Sequence, residues 1–152
     1  MEFFNLLPGG IFENRYCIRL LFGVDMLYIK ETALLMSKIR EIYRKKEERR
    51  GKLQRSLDSI VDRLKDMGAQ KIILFGSLAS GDVDVNSDLD LFVLMPSEKT
   101  GKEWTDIIYS TIEKKVASHI IVFNQEEFHK ELPVSCFLEN ILKGKVLYEK
   151  AA

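Results

Sequence analysis

The chain has 152 residues, of which 46% are hydrophobic and 30% are charged, a balance typical of one globular domain with a modest extension. Its 23 basic residues equal its 23 acidic residues, so overall charge does not favour binding to nucleic acid. The longest apolar stretch, residues 16–29, contains Arg19 and Asp25 and is too short and too charged to span a membrane.

The two cysteines, Cys17 and Cys136, are far apart in the chain and show no metal-binding spacing. Such cysteines are typical of reduced thiols in a cytoplasmic protein rather than of a disulfide framework or a zinc site. The first residues lack the basic start of a secretory signal, and Pro8-Gly9-Gly10 interrupts their apolar run. We therefore expect a cytoplasmic protein that does not enter the membrane.

After an irregular start, a helix is predicted from about Leu20 to Arg50. Apolar side chains recur there at helical spacing, at Leu35, Ile39, Ile42 and Tyr43. This apolar face has no obvious place in the core of a small domain, and such faces are usually buried against a partner or a second copy. The pattern therefore predicts association, with a homo-oligomer formed through the N-terminal helix as one form.

Residues 44–55 contain seven basic and two acidic side chains. They could form a solvated helix end and linker, or a patch that contacts phosphate. Gly51 is the expected break between the two parts of the chain. We therefore divide the sequence into an N-terminal helical extension, residues 1–52, and a domain, residues 53–152.

The domain alternates helical and strand patterns. The predicted helices lie at 53–67, 103–116, from Asn124 onward, where Asn124 and Glu127 form a capping box, and at 134–142. The predicted strands lie at 71–75, 88–95, 119–123 and 146–148, and a loop with one possible helical turn covers 76–87. This order predicts an α/β fold, a small mixed sheet with helices mainly on one face, preceded by the helical extension.

The stretch from 73 to 95 carries the chemistry. A strand ends at Phe75 and the chain turns at Gly76-Ser77, and Asp88 and Asp90 follow on the next strand. Side chains at i and i+2 of a strand point to the same side, so the two carboxylates project together, as Mg²⁺ requires. Gly76 lets the backbone approach a phosphate, and Ser77 offers a hydroxyl. The nearby pair Asp82 and Asp84 lies in the loop and is interpreted as solvated charge.

These residues resemble the Gly-Ser-x10-Asp-x-Asp motif of minimal nucleotidyltransferases in the DNA polymerase β superfamily. Gly76-Ser77 and Asp88-x-Asp90 match it, with residues 78–87 as the ten spacers, and the resemblance continues to about residue 150. It implies that Asp88 and Asp90 are catalytic metal ligands. It also implies nucleotide binding by Gly76, Ser77, Gly81 and Ser87, with ATP as the expected nucleoside triphosphate.

The resemblance also implies transfer of a nucleoside monophosphate, AMP in the leading interpretation, to a protein or small-molecule acceptor, with Mg²⁺ as cofactor. Many members of the family act as antitoxins of HEPN-domain proteins, so a HEPN partner is expected. The alternative is a weakened or inactive domain that acts by binding its partner. A protein that binds nucleic acid through residues 44–55 is a third possibility, against which the zero net charge counts.

The sequence departs from the family pattern at two positions. Ser80 precedes Gly81 where a basic residue is common, so a cation for the triphosphate is missing or comes from elsewhere in the chain. His119 aligns with the third carboxylate of the family. It could be a strand-edge histidine that fills space, a metal ligand in an altered site that accepts Mn²⁺, or the product of a wrong alignment.

The remaining prominent side chains have structural interpretations. Trp104 is expected to pack at a helix start, and His129 to lie on the surface. The predicted core includes Phe75, Phe92, Phe123 and Phe137.

Overall fold

A computed structural model describes residues 26–113 and 115–151 of the chain. The predictions for Cys17 and for the turn at Pro8-Gly9-Gly10, like the predicted helix start at Leu20, lie outside these residues. The helices are α1 (Met26–Asp66), α2 (Gly76–Ser80), α3 (Gly101–Thr111), α4 (Gln125–Glu131), a 3-10 turn (Leu132–Val134) and α5 (Cys136–Leu142). The strands are β1 (Lys71–Phe75), β2 (Leu89–Met95), β3 (Ser118–Asn124) and β4 (Lys145–Glu149).

Helix α1 runs without interruption through Gly51, whereas the sequence pattern predicts one helix that ends at about Arg50 and a second that begins at Leu53. One glycine costs a helix only about 1 kcal/mol relative to alanine, and the buried face that follows, from Leu53 to Leu64, holds the helix in place. The contacts divide the chain into two units between Arg44 and Lys45. The division into an extension and a domain at residue 52 stays a prediction.

In the described part of the chain the strands form one four-stranded sheet in the order β3-β2-β1-β4. Strand β1 pairs antiparallel with β2 and β4, whereas β2 pairs parallel with β3. A parallel pair needs a crossover connection, and α3 provides it between β2 and β3. The sheet is therefore mixed, as the sequence predicts.

Side chains of β1 and β2 are buried on both faces of the sheet. One face carries the larger core, in which Leu91 and Val93 of β2 pack with the apolar side of α1 from Leu53 onward and with Trp104 and Ile108 of α3. The opposite face carries a smaller core of Ile73, Phe92, Leu94, Leu138 and Ile141. The longer helices thus cover one face and the short helix α5 covers part of the other, which confirms the α/β fold.

Capping boxes begin two of the helices. The predicted box at Asn124 is present, because its side chain accepts a hydrogen bond from the Glu127 backbone while the Glu127 carboxylate returns one to the Asn124 backbone. A second box, Thr100 with Glu103, begins α3 and was not predicted, although its Thr-x-x-Glu pattern is a recognised helix-start signal. The backbone N–H and the hydroxyl of Thr100 both donate to the Glu103 carboxylate, and these hydrogen bonds lower the pKa of Glu103.

The aromatic predictions are met with one exception. Trp104 is buried, and its indole N–H donates to the Pro96 carbonyl at 3.0 Å. Phe92 is fully buried, and Phe75 and Phe123 pack partly buried against the smaller core. Phe137, however, is 55% exposed, so its assignment to the core is wrong. The short helix α5 buries Leu138 and Ile141, three residues apart, and this spacing leaves Phe137 on the outer side.

His129 is exposed, as predicted, and Cys136 is a free, exposed thiol. None of the helices in the described ranges combines the length and the apolar character that a membrane crossing needs.

Candidate functional site

Gly76 joins the end of β1 to the start of α2, and its backbone is left-handed, with φ of 71°. A Cβ atom at this position would collide with the Oδ2 atom of Asp90 and would lie 3.1 Å from its Cγ atom. The Asp90 carboxylate therefore lies directly over the turn, in space that only a glycine leaves open. Ser77 follows in the first turn of α2 and is half-buried.

Asp90 and His119 face each other on the parallel strands β2 and β3, where they are register partners. The His119 Nδ1 atom lies 3.2 Å from the Asp90 Oδ1 atom. The Asp90 side chain is 24% exposed, whereas the His119 side chain is 70% exposed. His119, which aligns with the third carboxylate of the family, therefore lies against the catalytic candidate Asp90. So exposed a side chain does not simply fill space.

Asp88 stands one residue before β2, and its side chain is 38% exposed. Its Oδ1 atom is 3.6 Å from the Nη2 atom of Arg49, which belongs to α1. The Nε atom of the same guanidinium donates to the Ser87 carbonyl at 2.8 Å. Asp88 and Asp90 thus have different cationic or potentially cationic neighbours, Arg49 for the first and His119 for the second.

The loop between α2 and β2 is held along α1 by three basic side chains. Besides Arg49, Lys46 lies 3.6 Å from the Asp84 carboxylate, and Arg50 donates to the Gly81 carbonyl at 2.7 Å. Gly81 has φ of 87° and ends α2. The predicted nucleotide-binding glycine therefore presents its carbonyl to a cation of the same chain.

Ser87 shapes the same loop from within. Its hydroxyl accepts a hydrogen bond from the Asp84 backbone at 2.8 Å, and its backbone donates to the Asp84 carbonyl at 3.1 Å. Asp82 and Asp84 are exposed on either side of the buried Val83, in loop rather than strand. This arrangement agrees with the interpretation of that pair as solvated charge.

The donor set suits a hard divalent cation in part. Asp88 directly precedes β2 and Asp90 lies within it, and both carboxylates are partly exposed. Mg²⁺ commonly takes one or two carboxylates together with substrate phosphates. Within residues 26–113 and 115–151, no three His, Cys, Asp or Glu side chains come together as a metal-binding group. His119 therefore does not join both aspartates as a preformed third ligand, and its assignment as a metal ligand stays a prediction.

Two surface cavities lie away from these residues. One, of about 390 Å³, opens between β3, α4 and α5, where Glu127, Lys130 and Phe137 contribute to its wall. The other, of about 200 Å³, lies along α1 beside Leu147. Neither of these two cavities is lined by Asp88 or Asp90. The candidate site lies at an edge of the sheet, where Asp90 meets the β1–α2 turn and the start of β3.

Arg49 is the residue of this site that the sequence did not single out. In the sequence it is one of seven basic residues in the stretch 44–55, a pattern that predicts either a solvated surface or a phosphate-contacting patch. A helix continued through Gly51 places residue 49 one turn before the buried Leu53, and this continuity was the missing signal.

One family model matches more than half of the chain. The model of the nucleotidyltransferase domain matches residues 57–148, which include the β1–α2 turn, both aspartates and His119. A candidate nucleotidyltransferase from Sulfolobus solfataricus of known crystal structure is similar over 57% of this chain and 79% of its own, with 18% identity and a TM-score of 0.45. No curated protein matches the chain.

Proposed function

The chain belongs to the nucleotidyltransferase domain family, and from this premise we propose that it transfers AMP from ATP to a protein or small-molecule acceptor with the help of Mg²⁺. The observation that carries the proposal is the packing of the Asp90 carboxylate against Gly76, with Asp88 two residues earlier. This packing brings the glycine-serine turn and one of the two aspartates of the motif to the same edge of the sheet.

In the proposed reaction an acceptor oxygen attacks the α-phosphorus of the nucleotide, and the bond to the bridging oxygen of the β-phosphate breaks. The acceptor gains the nucleoside monophosphate, its proton passes to a base or to solvent, and pyrophosphate leaves. Bound Mg²⁺ would stabilise the charge on the attacking and leaving oxygens. Asp88 and Asp90 would hold the metal, and the Gly76 backbone with the Ser77 hydroxyl would bind triphosphate oxygens, with Gly81 and Ser87 shaping the same loop.

For the acceptor, we propose a HEPN-domain protein, whose activity this chain would neutralise as an antitoxin. The support is the motif and its resemblance to minimal nucleotidyltransferases, together with the zero net charge, which does not favour a nucleic-acid acceptor. A binding face for such a partner is available in the apolar side chains of α1 that include Leu35 and Ile42, which are 57% and 52% exposed.

The proposal is tested by incubating the purified chain with ATP, Mg²⁺ and a HEPN-domain protein. Intact-mass spectrometry of the HEPN protein should show the addition of adenylate groups, and an Asp90→Asn variant should add none. Unmodified HEPN protein, with small-molecule acceptors equally unlabelled, would contradict AMP transfer by this chain.

The second candidate function is neutralisation of a partner by binding alone, without transfer. It is favoured by one observation, the histidine at the position where a third carboxylate would complete the metal site, 3.2 Å from Asp90. The same experiment separates the two functions, because a binding module would inhibit its partner without ATP and would leave the partner's mass unchanged.

A further inference from the structure

Arg49 is a cation of α1 that lies beside Asp88. Its Nε atom is fixed by the Ser87 carbonyl at 2.8 Å, and its Nη2 atom lies 3.6 Å from Asp88 Oδ1. The second distance is short enough for an ion pair but too long for a hydrogen bond. The guanidinium is therefore anchored through Nε, and no hydrogen bond joins its terminal N–H groups to another residue of 26–113 or 115–151.

The neighbouring cations do not occupy an equivalent position. Lys46 pairs with Asp84 in the exposed part of the loop, and Arg50 donates to the Gly81 carbonyl and pairs with Glu47. The Arg49 side chain is only 21% exposed, so it is already largely desolvated and ordered. Ordering a long side chain before the ligand arrives lowers the entropy that binding must overcome.

Charge considerations indicate which ligand would use this group. A metal ion bound by Asp88 and Asp90 would be neutralised by the two carboxylates, so the several negative charges of a triphosphate would need a further cation. Guanidinium groups bind phosphate oxygens through two parallel hydrogen bonds. Ser80 precedes Gly81 at the start of the loop and brings no positive charge, whereas Arg49 reaches the other end of the loop, at Ser87 and Asp88, from α1.

We propose that Arg49 is a triphosphate-binding residue of this site, supplied by the N-terminal helix in place of the loop. Without nucleotide it compensates the charge of Asp88, and with metal and nucleotide bound it contacts the β- or γ-phosphate. The inference rests on the proposed function, since it assumes that a metal and a nucleoside triphosphate bind at Asp88 and Asp90.

The test uses the full chain and two binding measurements on Arg49→Gln. Mn²⁺ alone, followed by electron paramagnetic resonance, should bind about fivefold more tightly, because a competing positive charge beside Asp88 has been removed. The α,β-methylene analogue of ATP with Mg²⁺, followed by calorimetry, should bind about 10- to 100-fold more weakly, because charge-assisted hydrogen bonds are lost. Arg55→Gln, which removes the same charge from an exposed position of the same helix, should leave both affinities within about twofold.

Tighter binding of Mn²⁺ together with weaker binding of the analogue supports the proposal. If both affinities are unchanged, or if both weaken, the proposal is overturned, and Arg49 is a residue that only holds the loop. If the wild-type chain does not bind the analogue, the proposed function fails as well, so the two failures are distinguishable. Should Arg49→Gln fail to fold, Arg49→Lys provides the contrast. Because Arg49→Lys keeps the positive charge, its affinity for Mn²⁺ should equal that of the wild type while its affinity for the analogue falls. An unchanged affinity for the analogue would overturn the proposal.

Discussion

At the scale of single residues, the chemistry of the site depends on two carboxylates, Asp88 and Asp90, with a histidine at the position of a third. Asp88 lies against a guanidinium and Asp90 against an imidazole. A third carboxylate would add negative charge and an oxygen ligand at the position of His119. Imidazole is a poorer ligand for Mg²⁺ and suits transition metals better, so this position is where an active enzyme and a binding module would differ.

We predict that His119→Asp raises Mg²⁺-dependent transfer, because it restores an oxygen ligand and a negative charge opposite Asp90. The gain should be smaller when Mn²⁺ replaces Mg²⁺, since Mn²⁺ tolerates the wild-type imidazole better. Initial rates of pyrophosphate release with each metal provide the measurement, and His119→Asn serves as an uncharged control. If neither variant changes the rate with either metal, His119 takes no part in the metal site.

At the scale of elements, apolar patterns predicted the strands well because β1 and β2 are buried in the centre of the sheet. The same reasoning failed at Gly51, where a local breaker was outweighed by the tertiary packing of the helix beyond it. It also failed at Phe137, because the short length of α5 leaves room for only one buried stripe. Arg49 could not be identified as a site residue, since its approach to Asp88 depends on the path of the loop as well as on an unbroken helix.

The glycine in the middle of α1 provides a prediction for stability. Gly51→Ala should stabilise the chain by about 0.5–1 kcal/mol, because a Cβ atom there would meet only Arg55 Nη1 at 3.4 Å, an ordinary contact. Gly81→Ala is the matched contrast. Its Cβ would have no neighbour within 4 Å, but its φ of 87° should cost about 1–2 kcal/mol.

Urea unfolding of both glycine variants measures these changes in free energy. A loss of stability in Gly51→Ala would mean that α1 bends or breaks at this glycine after all.

The start of α3 provides a prediction for pH dependence. The backbone and hydroxyl groups of Thr100 lower the pKa of Glu103 below 4.5, so the ionised carboxylate stabilises the folded state above that value. This contribution is lost as the pH falls from about 4.5 through the lowered pKa. Glu103→Gln should therefore have a lower Tm than the wild type at pH 7, and the difference should shrink on acidification.

Glu98→Gln is the control, because Glu98 is exposed in the loop before α3 and takes no part in the capping box. A Tm difference for Glu103→Gln that stays constant between pH 7 and pH 3 would contradict the assignment of the stabilising charge to Glu103.

At the scale of the whole molecule, the apolar side of α1 before Lys45 is the surface on which association is predicted. The predicted face is exposed, with Leu35, Ile39, Ile42 and Tyr43 between 39% and 66% accessible. A face of this kind is usually buried in an assembly. Association through a second copy or a HEPN partner stays a prediction. Point variants test it better than deletion of the whole helix, because deletion would also remove Arg49 from beside Asp88.

We predict that the double variant Leu35→Glu, Ile39→Glu shifts the chain towards the monomer, because it places two charges on the apolar face that the predicted association would bury. Sedimentation velocity at micromolar concentration measures the change. Ser37→Glu, exposed on the opposite side of the same helix, should leave the assembly unchanged. A wild-type chain that is already monomeric at this concentration would exclude a homo-oligomer formed by this face.

The most direct test of nucleotidyl transfer by Asp88 and Asp90 follows two labels of ATP in parallel, with Mg²⁺ and acceptor present. Label in the α-phosphate should become attached to the acceptor, whereas label in the γ-phosphate should appear in pyrophosphate. Asp88→Asn and Asp90→Asn should abolish both signals at an almost unchanged Tm, because each removes charge from a partly exposed carboxylate without opening a cavity in the core. Asp82→Asn, in the exposed loop, should transfer as the wild type does. Attachment of the γ-label to the acceptor, or full transfer by both aspartate variants, would contradict the account.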